Sequence, residues 1–244
     1  ITTDTSLAED TEAELGTNND LWQRIINAYG FNQDIDNPRI QSQLNYYKRH
    51  QAYMDRIATR AERYMYFIAE QVDVRGIPGE LALLPIVESA FDPFAYSHGR
   101  ASGVWQFIPS TGRDSGLTQD WWYDGRRDIS ASTIAALTYL EALQREFKGD
   151  WLLALASYNT GAGNVRKAIR KNKRLGKPTD FWSLSLPRET RDYVPKLIAL
   201  AQLIKYPEEH GITLKPLTNE PYFASVHTGG QIDLSQLSEI SETP

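Results

Sequence analysis

Apolar residues recur at intervals of three and four through long stretches of this sequence, which is the spacing of one face of an α-helix. The pattern is longest between Met54 and Val74, and Gly76 follows it as a stop signal. Its apolar face comprises Ile57, Ala61, Tyr64, Phe67, Ile68 and Val72. The spacing therefore predicts one long helix over residues 54–74.

Helical patterns also cover most of the remaining chain. One begins after Asp20, which is a good N-cap residue, and another begins at Pro38, which suits a first helical turn. A short buried helix is expected over residues 78–90, with a kink at Pro85. Four more helical segments follow. One starts at Ile129, and the others span residues 151–158, 163–173 and 188–205. The sequence thus predicts a mainly α protein.

Residues 91–128 carry no sustained period, although they are rich in aromatic side chains. The aromatic residues are Phe91, Phe94, Tyr96, Trp105, Phe107, Trp121, Trp122 and Tyr123. An irregular stretch of this length is usually functional or disordered, and so many aromatics argue against disorder. Aromatic rings stack on the C–H faces of sugars, so the cluster suits carbohydrate. Filling of a core is the alternative interpretation.

Composition excludes several kinds of chemistry. Cysteine is absent, which removes disulfides, thiolate nucleophiles and cysteine-based metal sites. The four histidines form no His-Glu-x-x-His pair, and neither a Gly-x-Ser-x-Gly elbow nor a Walker loop is present. We therefore expect no metal site and no small-molecule cofactor. The longest apolar run, residues 81–87, is far shorter than the roughly 20 residues that span a membrane.

Charge is distributed unevenly along the chain. The net charge of −5 argues against a strong nucleic-acid binder. Residues 1–20 hold six acidic residues and no basic one, so residues 1–19 are expected to form a flexible acidic leader. Residues 163–177 hold seven basic residues and no acidic one. Such a helix face is usually solvated, and contact with an anionic polymer is the alternative.

Glu88 is the carboxylate whose position is most unusual. It follows Leu81 and Leu84 at helical spacing, so it shares the apolar face of a short helix. Burial and the C-terminal end of the helix dipole would both raise the pKa of Glu88, as a general acid near neutral pH requires. From these residues alone, a half-exposed glutamate without a chemical role is the simpler interpretation.

A second carboxylate is the usual requirement for cleaving a glycosidic bond. Asp92, Asp124 and Asp128 are the candidates in the sequence. Asp92 before a proline favours a turn, and Asp128 before a helix favours an N-cap. A mechanism with one carboxylate therefore has to be considered.

Four motifs around Glu88 resemble those of the soluble-lytic-transglycosylase-like catalytic domain. Residues 88–93 (ESAFDP), Ser97 and residues 101–109 (ASGVWQFIP) resemble the first two motifs. Residues 157–161 (SYNTG) resemble the third, and residues 189–194 (ETRDYV) resemble the fourth. All four occur in order, which is a much stronger signal than any single motif.

The resemblance implies a site and a reaction. It places the catalytic acid on Glu88, and it places substrate-binding residues on Ser89, Ser97, Gln106, Tyr158, Asn159 and Tyr193. It implies cleavage of the β-1,4 bond between N-acetylmuramic acid and N-acetylglucosamine in peptidoglycan. Water takes no part, and a 1,6-anhydromuramyl end is left. The single glutamate would act first as acid and then as base.

The resemblance also implies a fold and a location. The expected fold is a lysozyme-like, goose-type-lysozyme-like helical catalytic domain over residues 76–205, with extra N-terminal helices over residues 20–75 that pack on it. Residues 206–244 would be an extension or linker. The expected partner is the peptidoglycan glycan strand, bound by a monomer. The expected location is the periplasm, with outer-membrane anchoring by a lipidated segment upstream of this chain.

Three residues depart from the usual motifs. Val104 and Trp105 replace a Leu-Met pair, and Ser157 replaces an alanine. We expect these changes to alter the wall of a subsite and to leave the acid in place. Two other functions stay open: a muramidase that uses water and a second acid such as Asp92, and a non-catalytic peptidoglycan-binding module.

Overall fold

The computed structural model describes residues 20–224 together with residues 230, 233, 235 and 238. The α-helices among them are α1 Leu21–Asn27, α2 Pro38–Tyr47, α3 Gln51–Ala61, α4 Met65–Arg75, α5 Leu84–Ser89, α6 Pro109–Asp114, α7 Ile129–Glu146, α8 Trp151–Thr160, α9 Ala162–Arg174 and α10 Arg188–Lys205. Short 3₁₀ turns occur at Gly79–Leu83, Phe181–Ser183 and Glu208–His210. These described residues contain isolated β-bridges and no strand, so the predicted mainly α class is confirmed. The predicted acidic leader lies outside the described residues.

Helix α8 lies at the centre of the structure. Its middle turns are fully apolar and buried, and it packs against α7, α9 and α10. The long helix α10 in turn lies along α2 and contacts α1 and the 3₁₀ turn Gly79–Leu83. A helix that is apolar on every side needs neighbours on every side, and this arrangement supplies them.

The N-terminal helices are tied to the rest of the chain by a buried carboxylate. Glu80 is completely buried, and its oxygens accept the backbone N–H groups of Gly30 and Phe31 at 2.9 Å each. The side-chain amide of Gln33 donates to the same carboxylate at 2.7 Å. A buried charge is tolerated only where such partners surround it. Glu80 therefore fixes the connection between α1 and α2 against the 3₁₀ turn.

The single helix predicted over residues 54–74 is wrong. The structure has two helices there, α3 and α4, separated by a turn in which the N–H of Tyr64 donates to the carbonyl of Ala61 at 2.8 Å. Helix α3 contacts α2, whereas α4 packs against the 3₁₀ turn and α7. The two segments have different partners, so the chain must change direction between them.

The segment 78–90 is helical as predicted, but it changes type in the middle. The 3₁₀ turn Gly79–Leu83 runs directly into α5, and Pro85 lies in the first turn of α5. A proline is tolerated there because the first turn needs no N–H donor. The expected kink is thus a junction between two helix types.

Part of the predicted C-terminal extension is packed onto the N-terminal helices. Ile212 and Leu217 are buried, and the indole N–H of Trp22 donates to the carbonyl of Lys215 at 3.0 Å. Asp20 and Thr218 form an isolated β-bridge. Among the described residues, no helix is both long and apolar enough to cross a membrane.

Residues 91–128 form a loop layer that contains one short helix, α6. Arg126 holds this layer together from inside. Its guanidinium donates to the carbonyls of Arg100 at 2.7 Å and Phe107 at 3.1 Å, and it pairs with Asp124 at 2.7 Å. The buried guanidinium thus satisfies loop carbonyls that have no partner in a regular sheet or helix.

Candidate active site

A cavity of about 500 Å³ opens between the helices α5, α8 and α10 and the loop layer. Six of the seven predicted site residues line it: Glu88, Ser97, Gln106, Tyr158, Asn159 and Tyr193. These residues come from positions up to 105 apart in the chain. The fold therefore brings the predicted acid and most of its predicted companions to one place.

The end of α5 presents Glu88 to the cavity. The helix stops one residue later, because Ala90 adopts a left-handed conformation with φ 51° and Phe91 follows with φ 57°. This conformation is costly for residues other than glycine. The ring of Phe91 is completely buried, and its packing compensates for the strain.

The protonation of Glu88 is set by four influences. Burial is the largest and raises the pKa of Glu88, and the four together bring it from 4.5 to about 7. The hydroxyl of Tyr193 donates a hydrogen bond to Oε1 and lowers this pKa. The charge of Glu189 raises it, and the charge of Lys196 lowers it. At neutral pH the carboxyl can therefore both give and take a proton.

Tyr193 stays a hydrogen-bond donor under these conditions. Burial raises the pKa of its hydroxyl well above 10, and the nearby charge of Glu88 adds to the effect. The same two causes raise the pKa of Tyr158. Both phenols thus remain neutral around the carboxyl.

Tyr158 and Asn159 occupy the last turn of α8. The Tyr158 hydroxyl donates to the backbone carbonyl of Trp105 at 2.8 Å and so connects α8 to the loop layer. Oδ1 of Asn159 accepts from the Thr190 hydroxyl at 2.8 Å, and Nδ2 lies 3.4 Å from Oε1 of Glu189. Asn159 is therefore held between α8 and α10.

The loop layer contributes Ser97 and Gln106. The backbone and the hydroxyl of Ser97 both bond to Ala101, at 2.9 and 3.0 Å. Gln106 has φ 48°, and its Nε2 donates to the carbonyls of Gly103 at 2.8 Å and Ala95 at 3.3 Å. Fixing Nε2 in this way leaves the amide oxygen of Gln106 available to accept a hydrogen bond from a ligand.

Ser89 does not line the cavity. Its hydroxyl lies within hydrogen-bond distance of two backbone carbonyls, Pro85 at 3.2 Å and Val104 at 3.0 Å. The residue thus connects α5 to the loop layer, and its position favours a structural role over contact with substrate.

The expectation that the three departures from the motifs change the cavity wall is wrong. Val104, Trp105 and Ser157 are all completely buried, and none lines the cavity. The indole N–H of Trp105 donates to the hydroxyl of Thr133 on α7 at 2.9 Å. These side chains point into the core, where they alter packing instead.

None of the three aspartates considered as a second acid lines the cavity. Asp92 holds a turn, and Asp128 caps α7 with its side chain. Asp124 pairs with Arg126, which holds the pKa of Asp124 below its usual range. The second carboxylate of the cavity is Glu189.

Glu189 and Lys196 are the charged residues of the cavity to which the sequence analysis gave no role. With Tyr193 they lie on α10 at intervals of four and three, which places all three on one face of the helix. Once Tyr193 is placed in the site, helical spacing makes both residues candidates for the same face.

The aromatic residues of the loop layer divide into two groups. Phe91, Trp105 and Phe107 are buried, as the core interpretation predicts. The exposed ones are Phe94, Tyr96, Trp121, Trp122 and Tyr123. The core interpretation therefore holds for the first group and not for the second.

The basic segment 163–177 lies mainly on α9, and all seven of its basic side chains are exposed. Arg166 forms an ion pair with Glu146. The arrangement agrees with a solvated helix face.

Comparison with known proteins gives consistent matches. Residues 65–181 match the family described as the transglycosylase SLT domain. The chain is 48% identical over 206 residues to membrane-bound lytic murein transglycosylase D of Escherichia coli (strain K12), covering 84% of this chain and 46% of that protein. It is 40% identical over 151 residues to a protein of Alteromonas sp. (strain M-1) named for tributyltin chloride resistance, covering 62% of this chain and 72% of that protein.

The Escherichia coli relative and a matched solved structure are both longer than this chain. The chain spans about half the length of the Escherichia coli protein it matches, since it covers 46% of it. The X-ray structure of an inactive mutant of lytic transglycosylase Slt from Pseudomonas aeruginosa aligns with a TM-score of 0.44 and 22% identity. That alignment covers 60% of this chain and 24% of the other chain.

Proposed function

Because this chain belongs to the transglycosylase SLT domain family, we propose that it is a peptidoglycan lytic transglycosylase. The proposed reaction breaks the β-1,4 bond between N-acetylmuramic acid and N-acetylglucosamine and leaves a 1,6-anhydromuramyl end. The mainly helical structure and the family match agree with the lysozyme-like fold that the resemblance implies.

The observation that carries the proposal is the state of Glu88. It is a carboxyl with a pKa near 7, placed in a cavity and held by the hydroxyl of Tyr193. An acid with an ordinary pKa of 4.5 would be almost fully ionised at neutral pH and unable to donate a proton. The environment of Glu88 removes that obstacle.

In the proposed mechanism, neutral Glu88 protonates the glycosidic oxygen as the bond to the anomeric carbon breaks. The N-acetyl group of the substrate stabilises the positive charge that develops. The Glu88 carboxylate then takes the proton of the O6 hydroxyl, and O6 attacks the anomeric carbon. The nucleophile belongs to the same molecule, so its effective concentration is far above that of a free reactant. Protons balance, and no water is consumed.

The residues around Glu88 have positioning roles in this scheme. Tyr193 orients the carboxyl through its hydrogen bond. Asn159 on the helical side of the cavity and Gln106 and Ser97 on the loop side would bind the N-acetyl and hydroxyl groups of the substrate. Hydrogen bonds from fixed groups to a strained sugar ring contribute most when the bond is half broken.

A hydrolytic muramidase is the second candidate, and one observation favours it. Glu189 lines the same cavity, and its charge acts on Glu88. A second carboxylate could activate a water molecule. However, Oε1 of Glu189 lies 3.4 Å from Nδ2 of Asn159, which suits a positioning role as well.

Replacement of the acid tests the proposal. We expect Glu88→Gln to lower the rate of peptidoglycan solubilisation by roughly 10³-fold or more, because the amide cannot donate the proton. Asp92→Asn is the matched control, since Asp92 lies outside the cavity, and it should keep most of the activity. Circular dichroism would verify that both variants are folded. Retention of substantial turnover by Glu88→Gln would refute the assignment.

The wider setting of the enzyme is also proposed. The name of the membrane-bound Escherichia coli relative supports a location at the cell wall, in the periplasm. A lipidated segment upstream of this chain would anchor it to the outer membrane. We propose that the domain acts as a monomer on glycan strands, with no cofactor and no nucleic-acid partner. Sedimentation of the purified chain with and without soluble glycan would test the monomeric state.

A further inference from the structure

Two adjacent tryptophans project from the loop layer into solvent. The exposed fractions of Trp121 and Trp122 are 89% and 81%, and their ring centroids lie 5.1 Å apart with an angle of 61° between the planes. Contiguous exposed apolar surface often marks a binding site. We call this pair the tryptophan platform. The cavity around Glu88 makes no use of it.

The backbone beneath the platform is fixed by hydrogen bonds. Oδ1 of Asp120 accepts the N–H groups of Trp122 at 2.8 Å and Tyr123 at 2.7 Å. The N–H of Asp120 donates to the carbonyl of Tyr123 at 2.9 Å, and Gly125 donates to Thr118 at 2.8 Å. These bonds fix the backbone that carries both rings, and a fixed backbone loses less entropy on binding.

Polar groups surround the rings in the manner of a sugar site. A shallow depression of about 470 Å³ is lined by both rings together with Asp120, Asp124, Arg127 and Asp128. Oδ2 of Asp120 takes part in no hydrogen bond within the described residues. Among the described residues, Arg127 makes one side-chain hydrogen bond, from Nε to the Ser102 hydroxyl at 3.0 Å. Aromatic faces with free acceptors and donors at their edge suit the C–H faces and hydroxyls of sugars.

The charge of the depression selects among possible ligands. Three carboxylates line it, against one exposed guanidinium, Arg127. The neighbouring Arg126 is buried and paired with Asp124, so it offsets that carboxylate. Asp120 and Asp128 then remain against Arg127, which leaves one excess negative charge. The excess negative charge disfavours binding to an anionic lipid surface. The carboxylate oxygens can accept hydrogen bonds from neutral hydroxyl groups. The ligand that fits is therefore a glycan rather than a membrane.

Arg126 connects the platform to the cavity, although the two have no lining residue in common. Arg126 lies in sequence between the two depression residues Asp124 and Arg127, and its guanidinium binds the carbonyl of Phe107. Phe107 lines the cavity around Glu88. We propose that the tryptophan platform binds a peptidoglycan glycan strand outside the cleavage cavity and retains polymeric substrate near it. This inference rests on the proposed function for the identity of the glycan.

Sedimentation with insoluble purified peptidoglycan tests the platform. The Glu88→Gln variant is used as background, so that the polymer is not consumed. Adding Trp121→Ala and Trp122→Ala should weaken binding by about tenfold. Adding Trp121→Phe and Trp122→Phe instead should keep binding within about twofold of the background. The matched control adds Val74→Ala and Tyr222→Ala, which remove exposed side chains elsewhere and should change nothing.

Activity measurements separate this inference from the proposed function. In the chain with Glu88 intact, the double alanine variant should solubilise peptidoglycan more slowly but cleave a short soluble muroglycan fragment at the normal rate. Unchanged binding of the polymer by the double alanine variant would overturn the platform. The platform would also be overturned if the double alanine variant lost binding to phosphatidylglycerol vesicles but bound the polymer as before. Tryptophan-dependent polymer binding by a wild-type chain that releases no anhydro product would support the platform and refute the proposed function.

Discussion

The cavity has a helical wall and a loop wall, and the two are held in place by different means. The helical wall carries Glu88, Asn159 and Tyr193 on three helices that pack through a common apolar core. The loop wall carries Ser97 and Gln106, which stand on irregular backbone. The groups that titrate lie on the helical wall, and the groups that shape the cavity lie on the loop wall.

The loop wall depends on close backbone approach and on one buried cation. Gly103 has φ 79°, and a Cβ atom there would lie 1.9 Å from the carbonyl oxygen of Arg126. The same Arg126 joins two carbonyls of the loop through its guanidinium. Loops usually lack regular backbone hydrogen bonds, and in this loop close packing and the Arg126 side chain take their place. A fixed loop suits a site that must keep water away from a reactive intermediate.

The largest effect on the loop wall is expected from Gly103→Ala. The substitution should lower the free energy of unfolding by about 3 to 5 kcal/mol, because strain and overlap add. Gly116→Ala is the matched control: its φ is 82°, but no atom lies within 4 Å of the added Cβ. It should cost only about 1 kcal/mol. Equal losses in urea unfolding of the two variants would contradict the close approach.

The helical wall should reveal itself in the pH dependence of stability. The pKa of Glu88 is about 7 in the folded chain and 4.5 as an ordinary value, so the folded state retains a proton between these values. Stability therefore falls as pH rises through that window, by at most about 3 kcal/mol from this group. The Glu88→Gln variant has no titrating group at this position, so it should lose this part of the pH dependence of stability.

Urea unfolding of the wild type and of Glu88→Gln at pH 5 and pH 8 measures this effect. The variant should gain stability relative to the wild type at the higher pH. A difference between the two proteins that does not change with pH would mean that Glu88 is not desolvated.

Variants of the helical wall should also move the pH profile of activity in opposite directions. Tyr193→Phe removes a hydrogen bond that lowers the pKa of Glu88, so the alkaline limb should shift to higher pH. Glu189→Gln removes a charge that raises the pKa of Glu88, so the alkaline limb of the activity profile should shift to lower pH. Gln106→Ala, on the loop wall, should lower kcat/KM by roughly tenfold without moving the limb. A shift in the same direction for Tyr193→Phe and Glu189→Gln would rule out this electrostatic account.

The smallest expected effect concerns helix caps. Asp150 caps α8 through the N–H of Leu153, and Asp128 caps α7 through the N–H of Ala131. Asp150→Ala should cost about 1 kcal/mol of stability, because only the cap is lost. Asp128 also accepts a hydrogen bond from the Tyr123 hydroxyl at 2.9 Å, so it joins the helix to the loop. Thermal unfolding should show a larger loss for Asp128→Ala than for Asp150→Ala.

The helical wall was largely predictable from the sequence, because periodicity and capping are local signals. The caps at Asp20 and Asp128 and the stop at Gly76 all occur where the pattern places them. The break between α3 and α4 was not predictable. No glycine or proline lies in residues 54–74, and the change of direction follows from which helices each segment contacts.

The loop wall and parts of the site could not be derived in the same way. The role of Glu80 depends on amide groups about 50 residues away, and the effect of Glu189 on Glu88 depends on packing of distant helices. Trp105 was expected at the cavity and lies in the core. Motif residues indicate where a site is, whereas only the tertiary structure tells which side chains face it.

The mass of the released products tests the central claim most directly. Peptidoglycan is digested in water enriched in ¹⁸O, and the muropeptides are analysed by mass spectrometry. The account predicts products one water lighter than hydrolytic muropeptides, with no ¹⁸O at the muramyl end, and none from Glu88→Gln. Muramyl ends that are reducing and carry ¹⁸O would contradict it and would make Glu88 and Glu189 the acid and base of a hydrolase.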